Sequence, residues 1–250
     1  MAETDWVVAE ILEELKESGL DDDTMVIFTS DNGFAPYVKI PKMFAAGYRP
    51  SASFRGAKAT IYEGGHRVPF LVRWPGKVTA GATSNATICT TDFFATFAEL
   101  LDNRGDGSAA TTVGIPDNAA EDSFSFASCL RGSQNPTRPF TIHHSISGAF
   151  AIRKGDWKLI MNKGAGGGWG LPGETTKTTA KLVQLYNLKD DPGETKNLEE
   201  SRPEVVDEMV NDLAKALHDG RTTAGEKQTN DGWPYRDNAT KAKYPQLNEG

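Results

Sequence analysis

One short segment restricts the fold more than any other part of the sequence. Residues 24–29 read TMVIFT and form an apolar run that polar residues bound on both sides. The length and β-branched content of this run predict a strand buried on both faces, as in a parallel sheet. Just before it, residues 5–18 carry apolar side chains at helical spacing, which predicts a surface helix. A helix followed at once by a buried strand indicates an α/β fold.

The first half of the chain contains one more strand and one more helix. Residues 69–74 are a second strand candidate, and residues 91–101 predict a helix with Thr91 at its N-cap. The apolar face of this helix consists of Phe94, Phe97, Ala98 and Leu101. Between the strands, residues 34–67 show no convincing periodicity. A connection of this length inside a compact domain is usually functional or disordered.

After a polar, Gly-rich stretch at residues 102–122, the pattern changes. Four short strand candidates separated by turns predict an antiparallel meander; they cover residues 140–145, 149–154, 157–161 and 182–188. Pro203 then opens a helix with an apolar face formed by Val206, Met209, Val210, Leu213 and Leu217. We therefore expect an α/β part at 1–122, a subdomain with an antiparallel sheet and helix at 123–218, and a polar tail at 219–250.

Composition excludes several classes of protein. Lys and Arg number 27 against 34 Asp and Glu, so the net charge is −7 and the basic excess of a nucleic-acid-binding protein is missing. The longest apolar runs, such as residues 25–28 and 68–72, are far shorter than the ~20 residues that a membrane-spanning helix needs. Cys89 and Cys129 are too few for a disulfide framework and too far apart for a metal cluster. Whether these two cysteines are free or paired stays open.

Two clusters of residues could carry chemistry. Asp31 and Asn32 follow the first predicted strand, where ligand sites of α/β sheets gather, and their oxygens suit Ca²⁺ or Mg²⁺. The alternative is an ordinary turn, because Asp-Asn-Gly is common turn chemistry. The second cluster, residues 55–67, places two glycines beside basic side chains and could form an anion pocket. Its alternative is a solvated surface loop.

Four ordered blocks of the sequence resemble formylglycine-dependent (type I, arylsulfatase-like) sulfatases. They are TMVIFTSDNG at 24–33, FRGAKATIYEGGHRVP at 54–69, GAFAIRKGDWKLI at 148–160 and LYNLKDDPGETKNL at 185–198. The resemblance implies the second half of an alkaline-phosphatase-like α/β sulfatase domain, followed by a small antiparallel sheet and a C-terminal helix. It also implies a sulfuric ester hydrolase.

The resemblance assigns roles to individual residues. Asp31 and Asn32 match the family's ligands for one divalent cation, usually Ca²⁺, and Lys58 matches the lysine that contacts the sulfate and the bridging oxygen. We expect Lys58→Ala to cause a large but partial loss of activity. His143 and His144 fall near the substrate cleft of such sulfatases and could bind the leaving group. An equal alternative places these two histidines on opposite faces of a strand, with one simply packed.

The neighbours of Lys58 are expected to have structural roles. Glu63, Gly64, Gly65 and Arg67 shape the loop in this interpretation, and His66 is a surface or rim residue.

The family's nucleophile motif, C/S-x-P-x-R, is not present in this sequence. Cys89 lies in CTTDF and Cys129 in CLRGS, and neither is followed by the required proline and arginine. The formylglycine is therefore expected in a missing N-terminal half, and this chain alone is expected to be inactive. Related alternatives are a phosphoester or phosphonate hydrolase and a non-catalytic anion- or carbohydrate-binding fragment.

By the same resemblance, the substrate is a sulfated small molecule or glycan, and the location is periplasmic or secreted, although no signal peptide opens the chain. The sequence does not determine the oligomeric state.

Overall fold

A computed structural model describes residues 2–35, 37, 39–102, 115–167, 181–229, 231–232, 235 and 237–248. Its helices are α1 (Ala2–Glu17), α2 (Ile40–Ala45), α3 (Glu63–His66), α4 (Phe93–Asp102), α5 (Ala127–Leu130), α6 (Pro203–Asp219) and α7 (Asn238–Lys243). Its strands are β1 (Val26–Thr29), β2 (Phe70–Arg73), β3 (Thr141–His144), β4 (Phe150–Lys154), β5 (Trp157–Ile160) and β6 (Gln184–Asn187). Most of the polar, Gly-rich stretch at 102–122 lies outside the described residues.

The first strand pairs in a different direction from the predicted one. β1 and β2 form an antiparallel pair, with Val26 opposite Arg73 and Thr29 opposite Phe70. All four residues of β1 are half-buried. The expectation of a parallel sheet is therefore wrong for the one ladder that β1 makes in the described part of the chain. A continuous apolar run reports that both faces are covered, but it carries no information about the direction of the neighbouring strand.

The helix after β2 begins differently from the prediction. A 3₁₀ turn, Thr90–Asp92, precedes α4, and the backbone N–H of Cys89 donates to the Asp92 carboxylate at 2.8 Å. Cys89 is therefore the N-cap residue in place of the predicted Thr91, which lies inside the turn: the Asp92 N–H donates to the Cys89 side chain, and the two residues form a reciprocal capping box. Phe94 and Leu101, on the predicted apolar face, are 55% and 61% exposed.

The C-terminal part matches its prediction closely. The four strands form one antiparallel sheet in the order β3-β4-β5-β6, which confirms the predicted meander. Helix α6 covers one face of this sheet, and all the predicted apolar residues of α6 are buried against it. Gly220 ends the helix in the left-handed conformation that favours glycine.

The segment after α6 contributes more than a polar surface tail. Tyr235, Tyr244 and Leu247 are buried in the same core as α6 and the sheet. The Tyr235 hydroxyl donates to the carbonyl of Met161 at 3.3 Å. These apolar residues are too widely spaced to show a period in the sequence, so only their packing reveals them.

The long connection between β1 and β2 packs against the other face of the C-terminal sheet. Ile61 and Tyr62 from this connection join Ala151, Ile160 and Tyr186 in a second small core. The Ile61 N–H donates to the carbonyl of Ala165 at 2.9 Å. The connection that carries Lys58 is therefore held against the C-terminal sheet. No helix in the described ranges is long and apolar enough to cross a membrane.

Candidate functional site

The turn after β1 leaves oxygen atoms available for a ligand. The Ser30 hydroxyl donates to the Asn32 carbonyl at 3.0 Å, and the Asn32 side-chain NH₂ donates to the Gly33 carbonyl at 3.0 Å. Asp31 is exposed, and its carboxylate contacts only the Ser30 hydroxyl, at 3.4 Å, in the described structure. The Asn32 amide oxygen has no hydrogen-bond partner there. A carboxylate and an amide oxygen are therefore both free to bind a cation.

This turn is attached directly to the loop that carries Lys58. The Gly33 N–H donates to the Gly65 carbonyl at 2.9 Å, and the Lys58 N–H donates to the Phe34 carbonyl at 3.0 Å. The contact with the loop is so close that a Cβ added to Gly33 would lie 1.8 Å from the Gly64 carbonyl oxygen. The structure thus brings Asp31 and Asn32 next to the loop of Lys58, although they are distant in sequence.

Close backbone contacts restrict the conformation of the loop itself. Gly56 has a φ of +85°, and the Thr60 hydroxyl donates to the Ala57 carbonyl at 2.8 Å. A Cβ on Gly64 would lie 2.5 Å from the Gly56 carbonyl oxygen, and one on Gly65 would lie 2.3 Å from that of Thr60. The interpretation of the two glycines as shaping residues agrees with these contacts. The ammonium of Lys58 is half-buried and has no hydrogen-bond or ion-pair partner in the described structure.

The two predicted histidines of β3 point to opposite faces. The His143 ring lies 3.8 Å from the ring of His66, whereas the exposed His144 meets the ring of Phe150 edge-on at 4.1 Å. The Nε2 atom of His143 is buried and has no hydrogen-bond partner among the described residues. The geometry agrees with the alternative in which one histidine packs, although both still border a cavity.

This cavity has a volume of about 960 Å³ and lies between the two sheets. Asp31, His143 and His144 all line it, so three of the five predicted site residues share one space. Asn32 and Lys58 are not among the described residues that line it. The cavity therefore adjoins the turn, the two histidines and the end of the lysine loop, where Glu63, His66 and Arg67 line it.

The sequence interpretation missed a buried charge cluster behind the loop. Lys158 on β5 is fully buried, and its ammonium lies 3.0 Å from Glu63 and 2.9 Å from Glu194. The Glu63 N–H also donates to the Glu194 carboxylate, at 2.7 Å. A lysine inside the apolar strand WKLI was the one available signal, because an unpaired lysine is almost never fully buried.

His66 belongs to this cluster and is not a simple rim residue. Its Nε2 atom lies 3.1 Å from the Lys158 ammonium, and its side chain is 28% exposed. Burial and the nearby Lys158 charge lower the pKa of His66 to about 3. The imidazole is therefore neutral over the physiological pH range, because a second positive charge beside Lys158 would be repelled.

Glu63 is held in its ionised form. Burial acts to raise the pKa of Glu63, but the charges of Lys158 and Arg153 and the hydrogen bond from Lys158 outweigh it and lower that pKa to about 2. Arg153 and Arg67 reach its second carboxylate oxygen at 3.5 and 3.3 Å. Glu63 is thus a buried anion that neighbouring cations compensate.

These pKa shifts predict that the protein loses stability in acid. The pKa of His66 falls from 6.5 to about 3 on folding, so between these values the unfolded state binds more protons than the folded state. The free energy of unfolding should therefore decrease as the pH falls from about 6.5 towards 3, and Glu63 adds to the decrease below about 4.5. Urea unfolding at a series of pH values measures this slope.

The matched variant is His66→Gln, which cannot titrate. It should flatten the slope between pH 6.5 and 4.5 without abolishing it, because burial also lowers the pKa of His143 well below its usual range. An unchanged slope in the variant would show that His66 is protonated equally in both states.

The donors at the turn fit part of a calcium site. Ca²⁺ takes six to eight oxygen ligands, and Asp31 and Asn32 offer a carboxylate and an amide oxygen. In the part of the chain that the structure describes, no group of three or more His, Cys, Asp or Glu residues could hold a metal ion. Asp31 and Asn32 thus fit Ca²⁺ as two ligands of a larger set.

Known sulfatases are similar in sequence to most of this chain. The family model described as Sulfatase matches residues 1–103. An N-acetylgalactosamine-6-O-sulfatase of Bacteroides thetaiotaomicron is 34% identical over 215 residues, which cover 82% of this chain and 38% of that protein. Human arylsulfatase A is 29% identical over 245 residues, which cover 91% of this chain and 45% of that protein. The chain spans less than half the length of these relatives.

Solved structures agree with the sequence comparisons. A Bacteroides thetaiotaomicron protein from a locus for the metabolism of multiple glycosaminoglycans superposes with a TM-score of 0.69 at 32% identity, covering 85% of this chain and 42% of that one. A Pseudoalteromonas sulfatase has a TM-score of 0.61 at 24% identity, covering 86% and 41%, and supports the fold alone. The resemblance to sulfatases and the alkaline-phosphatase-like α/β fold class are both confirmed. The chain is therefore similar to sulfatases over 82% of its length.

Proposed function

We propose that this chain is the C-terminal part of an enzyme that hydrolyses sulfate esters. The formylglycine nucleophile would come from a segment outside this sequence, because C/S-x-P-x-R is absent from it. One observation carries the proposal. The Asp31–Asn32 turn is hydrogen-bonded to the loop of Lys58 through Gly33 and Gly65, at 2.9 Å. Two blocks that resemble sulfatases in sequence are therefore neighbours in space.

In the proposed site, this chain's residues bind and orient the sulfate. Asp31 and Asn32 would hold a Ca²⁺ ion, which when bound supplies positive charge beside the sulfate oxygens. The Lys58 ammonium would donate to the sulfate and to the bridging oxygen, where negative charge develops as the S–O bond breaks. The absence of a hydrogen-bond or ion-pair partner for Lys58 in the described structure supports this role, since a paired lysine would first have to break its pair.

The substrate is proposed to be a sulfated small molecule or glycan. His143 and His144 border the cavity beside Asp31 and are proposed to contact the part of the substrate that leaves with the bridging oxygen. Burial lowers the pKa of both imidazoles, so both would act as neutral hydrogen-bonding groups. A periplasmic or secreted location, which the resemblance to sulfatases implies, is part of the same proposal.

Replacing Lys58 with alanine tests the proposal in the complete polypeptide. A lost charge-assisted hydrogen bond costs ~1.5–3 kcal/mol, so kcat/KM for an aryl sulfate should fall roughly 10- to 150-fold. Release of 4-methylumbelliferone from its sulfate ester, with and without added Ca²⁺, measures the effect. The matched control is Lys77→Ala, which removes an exposed lysine that does not line the cavity.

The same assay distinguishes the alternative functions. Faster turnover of 4-methylumbelliferyl phosphate than of the sulfate would favour a phosphoester hydrolase. Binding of sulfated glycans without turnover of either ester would favour a non-catalytic fragment. Equal activity of Lys58→Ala and Lys77→Ala on the sulfate would remove Lys58 from the proposed site.

A further inference from the structure

Beyond the apolar contacts of Ile61 and Tyr62, the C-terminal sheet reaches the lysine loop through a buried charged side chain, Lys158. The Lys158 ammonium on β5 lies 3.0 Å from Glu63, 3.1 Å from His66 and 2.9 Å from Glu194. Glu63 and His66 are the first and last residues of α3, and Glu194 belongs to the loop after β6. Lys158 therefore connects both ends of α3 to the C-terminal part of the chain.

The buried charged groups make this connection between α3 and the C-terminal part rigid. Glu63 and Glu194 are both almost completely buried, and Lys158 is the buried cation between them. Glu194 also has a φ of +51°, in the left-handed region that non-glycine residues rarely adopt. Such a conformation persists only where surrounding contacts hold it. The Glu63 N–H and the Lys158 ammonium hold the Glu194 carboxylate, the Arg55 guanidinium donates to its carbonyl at 3.0 Å, and its own N–H donates to the Asp191 carbonyl at 3.1 Å.

A shift of α3 would be transmitted to the proposed metal turn. Gly65 in α3 accepts the hydrogen bond from the Gly33 N–H, and Gly64 donates to the Arg55 carbonyl at 2.6 Å. The backbones of Gly33 and Gly64 touch without room for a methyl group. Because these backbones are already in direct contact, α3 cannot move without displacing the Asp31–Asn32 turn or the segment that leads to Lys58.

We propose that Lys158 is a positioning residue of the sulfate-ester site. Its ammonium holds Glu63 and His66, and thereby fixes both the loop of Lys58 and the turn of Asp31 and Asn32. The C-terminal sheet thus supports the site through Lys158, without touching the substrate. This inference rests on the proposed function for its catalytic consequence, but its structural part can be tested independently.

The test compares three variants of the complete polypeptide. Lys158→Gln removes the buried cation, and Glu194→Gln removes one buried charge while keeping an oxygen for the Glu63 N–H. The matched control is Lys154→Gln on the neighbouring strand, which removes an ammonium that pairs at the surface with Glu208 and Asp212, both at 2.7 Å. Each variant is measured at a temperature where circular dichroism shows it to be folded.

Amide hydrogen exchange and steady-state kinetics are the two readouts. Lys158→Gln should accelerate exchange at least tenfold in residues 31–34 and 57–66 while leaving α6 protected. It should also lower kcat for an aryl sulfate at least tenfold, with a smaller change in KM. Glu194→Gln should show the same pattern more weakly, and Lys154→Gln should show neither effect.

Two results would overturn the inference. One is exchange that accelerates equally in α6 and in the loop, because Lys158 would then act only on global stability. The other is unchanged exchange and unchanged kcat in a folded Lys158→Gln variant. If that variant does not fold, Glu194→Gln decides between the same outcomes. Absence of sulfate turnover in the unaltered protein would instead contradict the proposed function, while hydrogen exchange would still decide the role of Lys158.

Discussion

Replacing Gly33 with alanine should displace the proposed metal turn and nearly abolish activity. The added Cβ would lie 1.8 Å from the Gly64 carbonyl oxygen and 2.9 Å from its carbonyl carbon, so the two backbones must separate. Overpacking of this kind costs about 1–3 kcal/mol of stability. Misplacement of a catalytic group by about 1 Å can cost about 100-fold in rate, so we expect kcat/KM for an aryl sulfate to fall by about that factor.

The matched control is Gly164→Ala. Gly164 has no neighbouring atom within 4 Å of an added Cβ and, like Gly33, has no positive φ. The two variants therefore make the same chemical change with and without a collision. Urea unfolding and aryl sulfate turnover of the complete polypeptide measure both effects. Similar behaviour of the two variants would mean that the close approach of Gly33 to Gly64 is not needed for folding or activity.

Replacing Asp92 with alanine should cause the largest loss of stability outside the proposed site. Its buried carboxylate accepts hydrogen bonds from the N–H groups of Cys89 and Phe124, at 2.8 and 2.9 Å, and pairs with buried Arg138 at 2.8 Å. The variant leaves a buried guanidinium without its anion and two N–H groups without acceptors. Removing one partner of a buried ion pair costs about 3–5 kcal/mol.

A surface ion pair provides the control for Asp92. Asp21 and Arg73 lie 2.7 Å apart, but their side chains are 27% and 43% exposed, so Asp21→Ala should cost at most about 1 kcal/mol. Asp92→Asn keeps an acceptor oxygen but loses the charge. Its loss of stability should lie between those of Asp92→Ala and Asp21→Ala. Equal urea midpoints for Asp92→Ala and Asp21→Ala would contradict a structural role for the buried pair.

Local patterns in the sequence predicted the secondary structure well where one face of an element is buried. The meander of β3 to β6 and the apolar face of α6 follow from alternation and from helical spacing, and both are confirmed. The direction in which β1 pairs could not be predicted in this way. A continuous apolar run is the same beside a parallel and beside an antiparallel neighbour. The core residues Tyr235 and Leu247 were missed because they lie in segments without a period.

The candidate site was predicted in its parts but not in its connections. The Asp-Asn pair and the lysine loop were recognised from their residue types and their resemblance to sulfatases. Their contact through Gly33 and Gly65 depends on a hydrogen bond between residues 32 positions apart, which no local pattern reports. His66 lines the cavity as a rim residue would, but its contacts with His143 on β3 and Lys158 on β5 were not predicted, because both lie far away in sequence.

The sequence by itself determined the resemblance to sulfatases, the fold class and the residue types available for binding a cation and an anion. These properties depend on short motifs and on periodicity, which are local. Only the tertiary structure decided that Lys158 lies between Glu63 and Glu194. The free energy of a buried charge depends on every group around it, and those groups come from segments up to 131 residues apart.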